Sequence, residues 1–204
     1  MFKTYFRIPF LYLVLMIVMF AVQVFMPSVT NVLALFPRNT DYLLGIITTV
    51  FLHANVEHLT SNMLPLSACL FGVFYFYRDI ALKVTLSCHL LTGILIWIFA
   101  RSAFHIGASG LVYALVFFIL VSGFIRKSRR LLVLAFAVLV FQSGLIWGIF
   151  PQGNQISWES HLMGAIVGLL LAFLFRKEGP QPDRPVEWEE EEQADEDEYQ
   201  DIIR

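Results

Sequence analysis

The stretch His105-Ile106-Gly107-Ala108-Ser109-Gly110-Leu111-Val112-Tyr113-Ala114 sets a hydroxyl between two glycines at the mouth of an apolar run. From Leu111 to Val121 that run carries no charge and only the hydroxyl of Tyr113. A helix fits it, with Ser109 in the first turn, where free backbone N–H groups and the positive end of the helix dipole favour an anion. Gly107 and Gly110 lack a Cβ, so another group can approach the backbone closely. A serine nucleophile beside an oxyanion site has this form. So does ordinary packing, because small residues let membrane helices meet. Taken alone the tetrapeptide favours packing, and its partners decide the question.

Working outward, the 204-residue chain is 58% hydrophobic and 15% charged, against about 25% charged in soluble domains. The apolar residues fall into long runs, the signature of a polytopic membrane protein. Six spans are expected, near 8–26, 59–77, 83–100, 109–125, 131–150 and 159–175. The fold class is therefore all-α, a bundle of six transmembrane helices over residues 1–177, followed by a tail over 178–204. The first run is long and has no convincing cleavage site, so it reads as a helix rather than a signal peptide. From Glu178 onward the tail holds 12 of the 16 Asp and Glu residues and cannot bury enough apolar surface to fold alone, so disorder is expected there. Cys69 and Cys88 lie inside apolar runs and read as buried thiols rather than a disulfide. The long first loop, Met26 to His58, is rich in apolar residues and is expected to pack on the bundle or dip into the interface.

Basic residues set the expected orientation. With the N-terminus in the cytoplasm, the inner segments hold 12 of the 14 Lys and Arg, and only Arg38 and Arg101 lie outside. Both termini are then cytoplasmic. No pattern for nucleic acid is present. Three outer histidines could suggest zinc, but no His-Glu-x-x-His or second ligand motif supports a metal.

Polar groups inside spans are costly and point to function. His58 and Asn62 open the second run four residues apart, hence on one face. Both can donate hydrogen bonds, either to a ligand or as a cap and an interhelical contact. His161 opens the sixth run, followed on the same face by the small residues Gly164, Gly168 and Ala172. That stripe would admit a neighbouring helix just below the imidazole, and the Ser109 helix is the obvious partner. Ser109, His58 and His161 each begin an outward-to-inward helix, so all three sit at one membrane boundary. Their agreement in depth raises a catalytic reading above scattered structural polarity. His53 reads as a loop-bracing residue and His89 as a packed polar contact. His105 lies close to Ser109 and could be mistaken for a base.

The chain at this point resembles the rhomboid intramembrane serine proteases of the minimal six-helix bacterial type. The resemblance covers about residues 8–176 and rests on Phe51-Leu52-His53-Ala54, His58-x-x-x-Asn62, Gly107-x-Ser109-Gly110 and His161-x-x-Gly164-x-x-x-Gly168, in that order. It implies a Ser109 nucleophile and a His161 general base, a dyad without an acid. It implies oxyanion contacts from the Ser109 N–H, Asn62 and His58, with Tyr113 packed beside the base and Gly107, Gly110 and Gly164 in support. It implies transmembrane protein substrates, a lipid bilayer around the protein, a bacterial inner membrane as its location, and no metal or organic cofactor. It gives His105 no role. The Trp-Arg pair common in the family's first loop is absent, with Leu44-Gly45 in its place. A helix-binding pseudoenzyme and a small channel or transporter are the competing classes. Intact Ser109 and His161 disfavour the first, and the absence of internal repeats and of a charged pathway disfavours the second.

Overall fold

The computed structural model describes residues 6–141, 147–151 and 157–180. Six apolar helices build it: α1 Arg7–Phe25, α2 Val56–Phe76, α3 Ala81–Phe99, α4 Ser109–Arg126, α5 Arg129–Phe141 and α6 Trp158–Leu174. No strand occurs among the described residues. The first four helices are long and apolar enough to cross a membrane, and α6 is a shorter apolar helix. Large apolar side chains such as Phe10, Leu82, Val133 and Leu170 stand exposed on the outer faces, as lipid-facing surfaces require.

The fifth element departs from the expected span 131–150. Its described helix ends at Phe141, and Trp147–Ile149 forms a separate turn of 3₁₀ helix. Residues 142–146 between them, and the acidic tail from Gln181, lie outside the described residues. Hydropathy cannot register the 3₁₀ turn, because Trp147, Gly148 and Ile149 continue the apolar composition.

Helix α4 is central. It is apolar on every side, the pattern of a helix enclosed by others. Twelve of its 18 residues are buried, against α2, α3, α5 and α6. The small-residue stripe of α6 lies on it. A Cβ built on Gly164 would strike the Gly110 carbonyl oxygen, and one on Gly168 would strike the Ala114 carbonyl oxygen. Backbone therefore meets backbone over two turns. In lipid, where apolar burial gives helices little reason to associate, such close van der Waals packing supplies much of the attraction. At the opposite end from Ser109, buried Arg126 ties the two helices again. Its guanidinium donates to the carbonyls of Phe175 (2.9 Å), Glu178 and Pro180 (2.6 Å), which lie past the end of α6.

The first loop packs on the bundle, as its apolar content leads one to expect. It winds through short helical turns at Val29–Leu33, Thr40–Tyr42, Gly45–Thr48 and Thr49–Phe51. Leu35 and His105 exchange both backbone hydrogen bonds, at 3.2 and 2.8 Å. Arg38 donates to the Ala100 carbonyl at 2.6 Å and to Ser102 Oγ at 2.9 Å, and the Trp97 indole donates to the Asn39 carbonyl at 3.1 Å. These contacts anchor a loop that lacks a Trp-Arg pair. At the Leu44-Gly45 position a side chain could not be added to Gly45, because its Cβ would fall on the Ala34–Leu35 backbone.

Candidate active site

Ser109, His58 and His161 stand at the N-terminal ends of α4, α2 and α6, and these three ends meet at one end of the bundle. Ser109 is the first residue of α4. The first i→i−4 bond of that helix comes from the Val112 N–H to the Ala108 carbonyl, so the N–H groups of Ser109, Gly110 and Leu111 have no such partner. His161 Nε2 lies 2.9 Å from Ser109 Oγ. Its other nitrogen, Nδ1, lies 2.9 Å from the Gly148 carbonyl oxygen. A carbonyl can only accept, so Nδ1 carries the proton and Nε2 presents its lone pair to the serine hydroxyl. That is the tautomer a general base needs.

The ring is held from a second direction. Tyr113, one turn after Ser109, stacks on His161 with centroids 4.3 Å apart and planes within 8°. Gly148 completes the enclosure, since a Cβ there would meet both Tyr113 Oη and His161 Nδ1. Sequence reasoning missed Gly148 altogether. It contributes a main-chain oxygen, which no residue type announces, and it sits in what reads as the fifth span.

Asn62 is buried, and its Nδ2 donates to the His58 carbonyl at 2.8 Å. A carboxamide has two N–H donors, so one remains. The His58 ring takes a hydrogen bond at Nδ1 from the Ala54 N–H at 3.4 Å, which leaves the proton on Nε2. Nε2 points to Gly107, whose φ of +110° favours glycine and where a Cβ would sit 2.7 Å from that nitrogen. Gly107 thus serves both the turn into α4 and the space for His58. Ser109, His58 and His161 are all half-buried, so water can reach the cluster.

Of the other histidines, His89 is a brace. Tyr12 Oη donates to His89 Nδ1 at 2.8 Å, and His89 Nε2 donates to the Ile47 carbonyl at 2.9 Å, tying α1, α3 and the first loop. His53 is 1% exposed and meets the His58 ring edge-on at 5.0 Å. Its backbone N–H donates to Gln23 Oε1 at 2.9 Å. Burial first, and the neighbouring His58 second, push the His53 imidazole from 6.5 down to about 4. Between those values the unfolded chain binds a proton that the folded chain refuses. Stability is therefore complete above about pH 6.5 and falls as pH drops toward 4, by about 3 kcal/mol at the lower limit. The thermal midpoint in detergent should decline across that window, and His53→Asn should flatten the decline.

The ring nitrogens of His105 are bonded to groups other than Ser109 Oγ. The residue is buried, and its Nδ1 lies 2.6 Å from Ser157 Oγ while Nε2 lies 3.1 Å from the Arg101 carbonyl. Burial holds it below the ordinary histidine range, against the opposing pull of the Arg101 carbonyl and the Glu159 carboxylate.

Comparison with known proteins agrees with this architecture. The Rhomboid domain model matches residues 40–178. An uncharacterised protein of Mycobacterium bovis is 34% identical over 148 residues, covering 68% of this chain and 61% of the relative. One of Mycobacterium leprae is 33% identical over 145 residues, 66% of this chain and 57% of its own. A protein of Acanthamoeba polyphaga mimivirus, named as a rhomboid protein, is 30% identical over 147 residues, 69% of this chain and 79% of its own. The match thus spans under two thirds of the length of the mycobacterial relatives. With a match across more than half of its length and a bundle of apolar helices around α4, the chain is an integral membrane protein and belongs to the rhomboid family, whose members are generally intramembrane serine proteases.

Proposed function

We propose that the protein is an intramembrane serine endopeptidase that cleaves single-span membrane proteins near the outer membrane boundary through a Ser109–His161 dyad. The observation that carries this reading is the 2.9 Å contact from Ser109 Oγ to the unprotonated Nε2 of His161, with Nδ1 occupied by the Gly148 carbonyl. The Ser109 proton passes to Nε2 as Oγ bonds to the substrate carbonyl carbon. The oxyanion is met by the Ser109 N–H, the free N–H of Asn62 and the Nε2–H of His58. The protonated His161 then gives its proton to the amide nitrogen as the C–N bond breaks. Water attacks the acyl-enzyme and gives a proton to Nε2; His161 then passes that proton to Ser109 Oγ as the C–Oγ bond breaks, which releases the second product and restores the dyad. The Gly148 carbonyl fills the orienting place that a carboxylate holds in a triad. No step calls for a metal or an organic cofactor.

The substrate class follows from the setting. A peptide bond within a helix is shielded, and unwound backbone is costly in lipid. Substrates are therefore transmembrane proteins whose helices carry Gly, Pro or small residues near the boundary. The excess of basic residues in the inner segments supports cytoplasmic termini in a bacterial inner membrane and an outward-facing site. A fluorophosphonate incubated with the detergent-solubilised protein should label it, with the adduct mapping to the Ser109 peptide. An adduct on any other serine, or none under conditions where the protein is folded, would overturn the dyad.

A further inference from the structure

We infer that His105 is a positioning residue for the dyad, a strut that fixes the first turn of α4 against the first turn of α6; the inference rests on the protease reading above. Ser109 and His161 come from different helices, 52 residues apart in sequence. The stripe of Gly164 and Gly168 sets how closely α4 and α6 approach. A stripe of small residues controls sliding along the axis less well, and a slide changes the Oγ–Nε2 distance directly. His105 and Ser157 are bonded at the same separation of 52. Each lies four residues before a dyad member. The His105–Ser157 bond thus repeats the Ser109–His161 contact one step outward, where α6 begins.

The strut is itself fixed on every side. Its backbone pairs with Leu35, and its carbonyl oxygen also accepts from Thr49 Oγ1. Its Nε2–H donates to the Arg101 carbonyl at 3.1 Å, so Nδ1 is the acceptor for the Ser157 hydroxyl at 2.6 Å. Ser160, the residue before His161, closes the chain through its hydroxyl, 2.5 Å from Ser157 Oγ. A second tie runs beside it, from the Arg101 guanidinium to the buried Glu159 carboxylate at 3.4 Å. Arg101 and Arg38 are the cations near His105, and Glu159 is the anion. The resemblance to known proteases leaves His105 without a role, and the bond to Ser157 gives it one.

The test compares His105→Phe, which keeps ring bulk and loses both polar contacts, with His105→Asn, which retains an acceptor close to the place of Nδ1. In the full chain in detergent, His105→Phe should lower kcat about 10–100-fold, the scale of a misplacement near 1 Å. KM should hold, and His105→Asn should recover most of the loss. Ser157→Ala breaks the same bond from the other helix. It should reproduce the kcat defect without adding to that of His105→Phe, and it carries the test if His105→Phe does not fold. Wild-type kcat in both Ser157→Ala and His105→Phe, or no recovery in His105→Asn, overturns the strut. A second readout needs no catalysis: in a Ser109→Cys/His161→Cys chain, bridging of the two thiols by dibromobimane should fall when His105→Phe is added. If the wild-type protein neither labels nor cleaves, the protease reading fails on its own, and undiminished bridging then overturns the strut separately.

Discussion

Ser109→Ala is expected to reduce cleavage of a single-span reporter to the level without enzyme and to remove fluorophosphonate labelling. The hydroxyl is the only group that can form the acyl-enzyme in the proposed reaction, so its loss should cost on the order of 10⁴–10⁶ in rate. His161→Ala should do nearly the same. Ser109 Oγ would then keep its proton, and an unactivated hydroxyl is a poor nucleophile. Asn62→Ala should fall short of both, with a loss of about 10²–10³ for one oxyanion donor, because the Ser109 N–H and the His58 Nε2–H remain. Gel-based labelling and reporter cleavage, measured on protein of matched folding, read all three. Retained cleavage in Ser109→Ala would end the serine mechanism.

Gly164→Leu is the second change expected to silence the protein, and it acts by geometry alone. Gly164 touches no reacting atom. A Cβ there would overlap the Gly110 carbonyl oxygen and stand 3.1 Å from Tyr113 Cβ. The Gly110 carbonyl is backbone and cannot turn aside, so α6 must move outward and carry His161 with it. A displacement near 1 Å should already cost about 10²-fold, and a leucine demands more. The protein should still insert and remain helical, since leucine is at home in lipid. Membrane fractionation and circular dichroism would establish that, and labelling would report the separated dyad. Wild-type turnover in Gly164→Leu would show that the two helices re-pack without parting.

The sequence made the core of this site legible for a particular reason. Ser109, His58, Asn62 and His161 are polar groups at the mouths of apolar runs, where lipid makes them conspicuous, and run order brings their helix ends to one side. The stripe of Gly164 and Gly168 was readable because its spacing matches one helix face. What escaped notice depends on contacts between distant segments. His105 is bonded to Ser157 and Leu35, neither of which is near it in sequence. The path of the first loop depends on the same pairing. The 3₁₀ turn at Trp147–Ile149 was hidden because an apolar run has the same composition whether it continues as α-helix or turns away.

The carbonyl of Gly148 has a consequence for how this protein behaves under mutation. Every residue has a main-chain oxygen, so no replacement of a side chain deletes that acceptor. A scan by alanine would remove the side chains of Ser109 and His161, the two members of the proposed dyad, but not the oxygen that orients His161. At position 148 itself such a scan would mislead, because the added methyl would press on Tyr113 and His161 while the oxygen stayed in place. Only an edit of the main chain, an ester in place of the peptide, would weaken the acceptor and leave the shape intact. Selection faces the same arithmetic: the orienting group cannot be lost by a change of side chain, only by moving the turn that carries it.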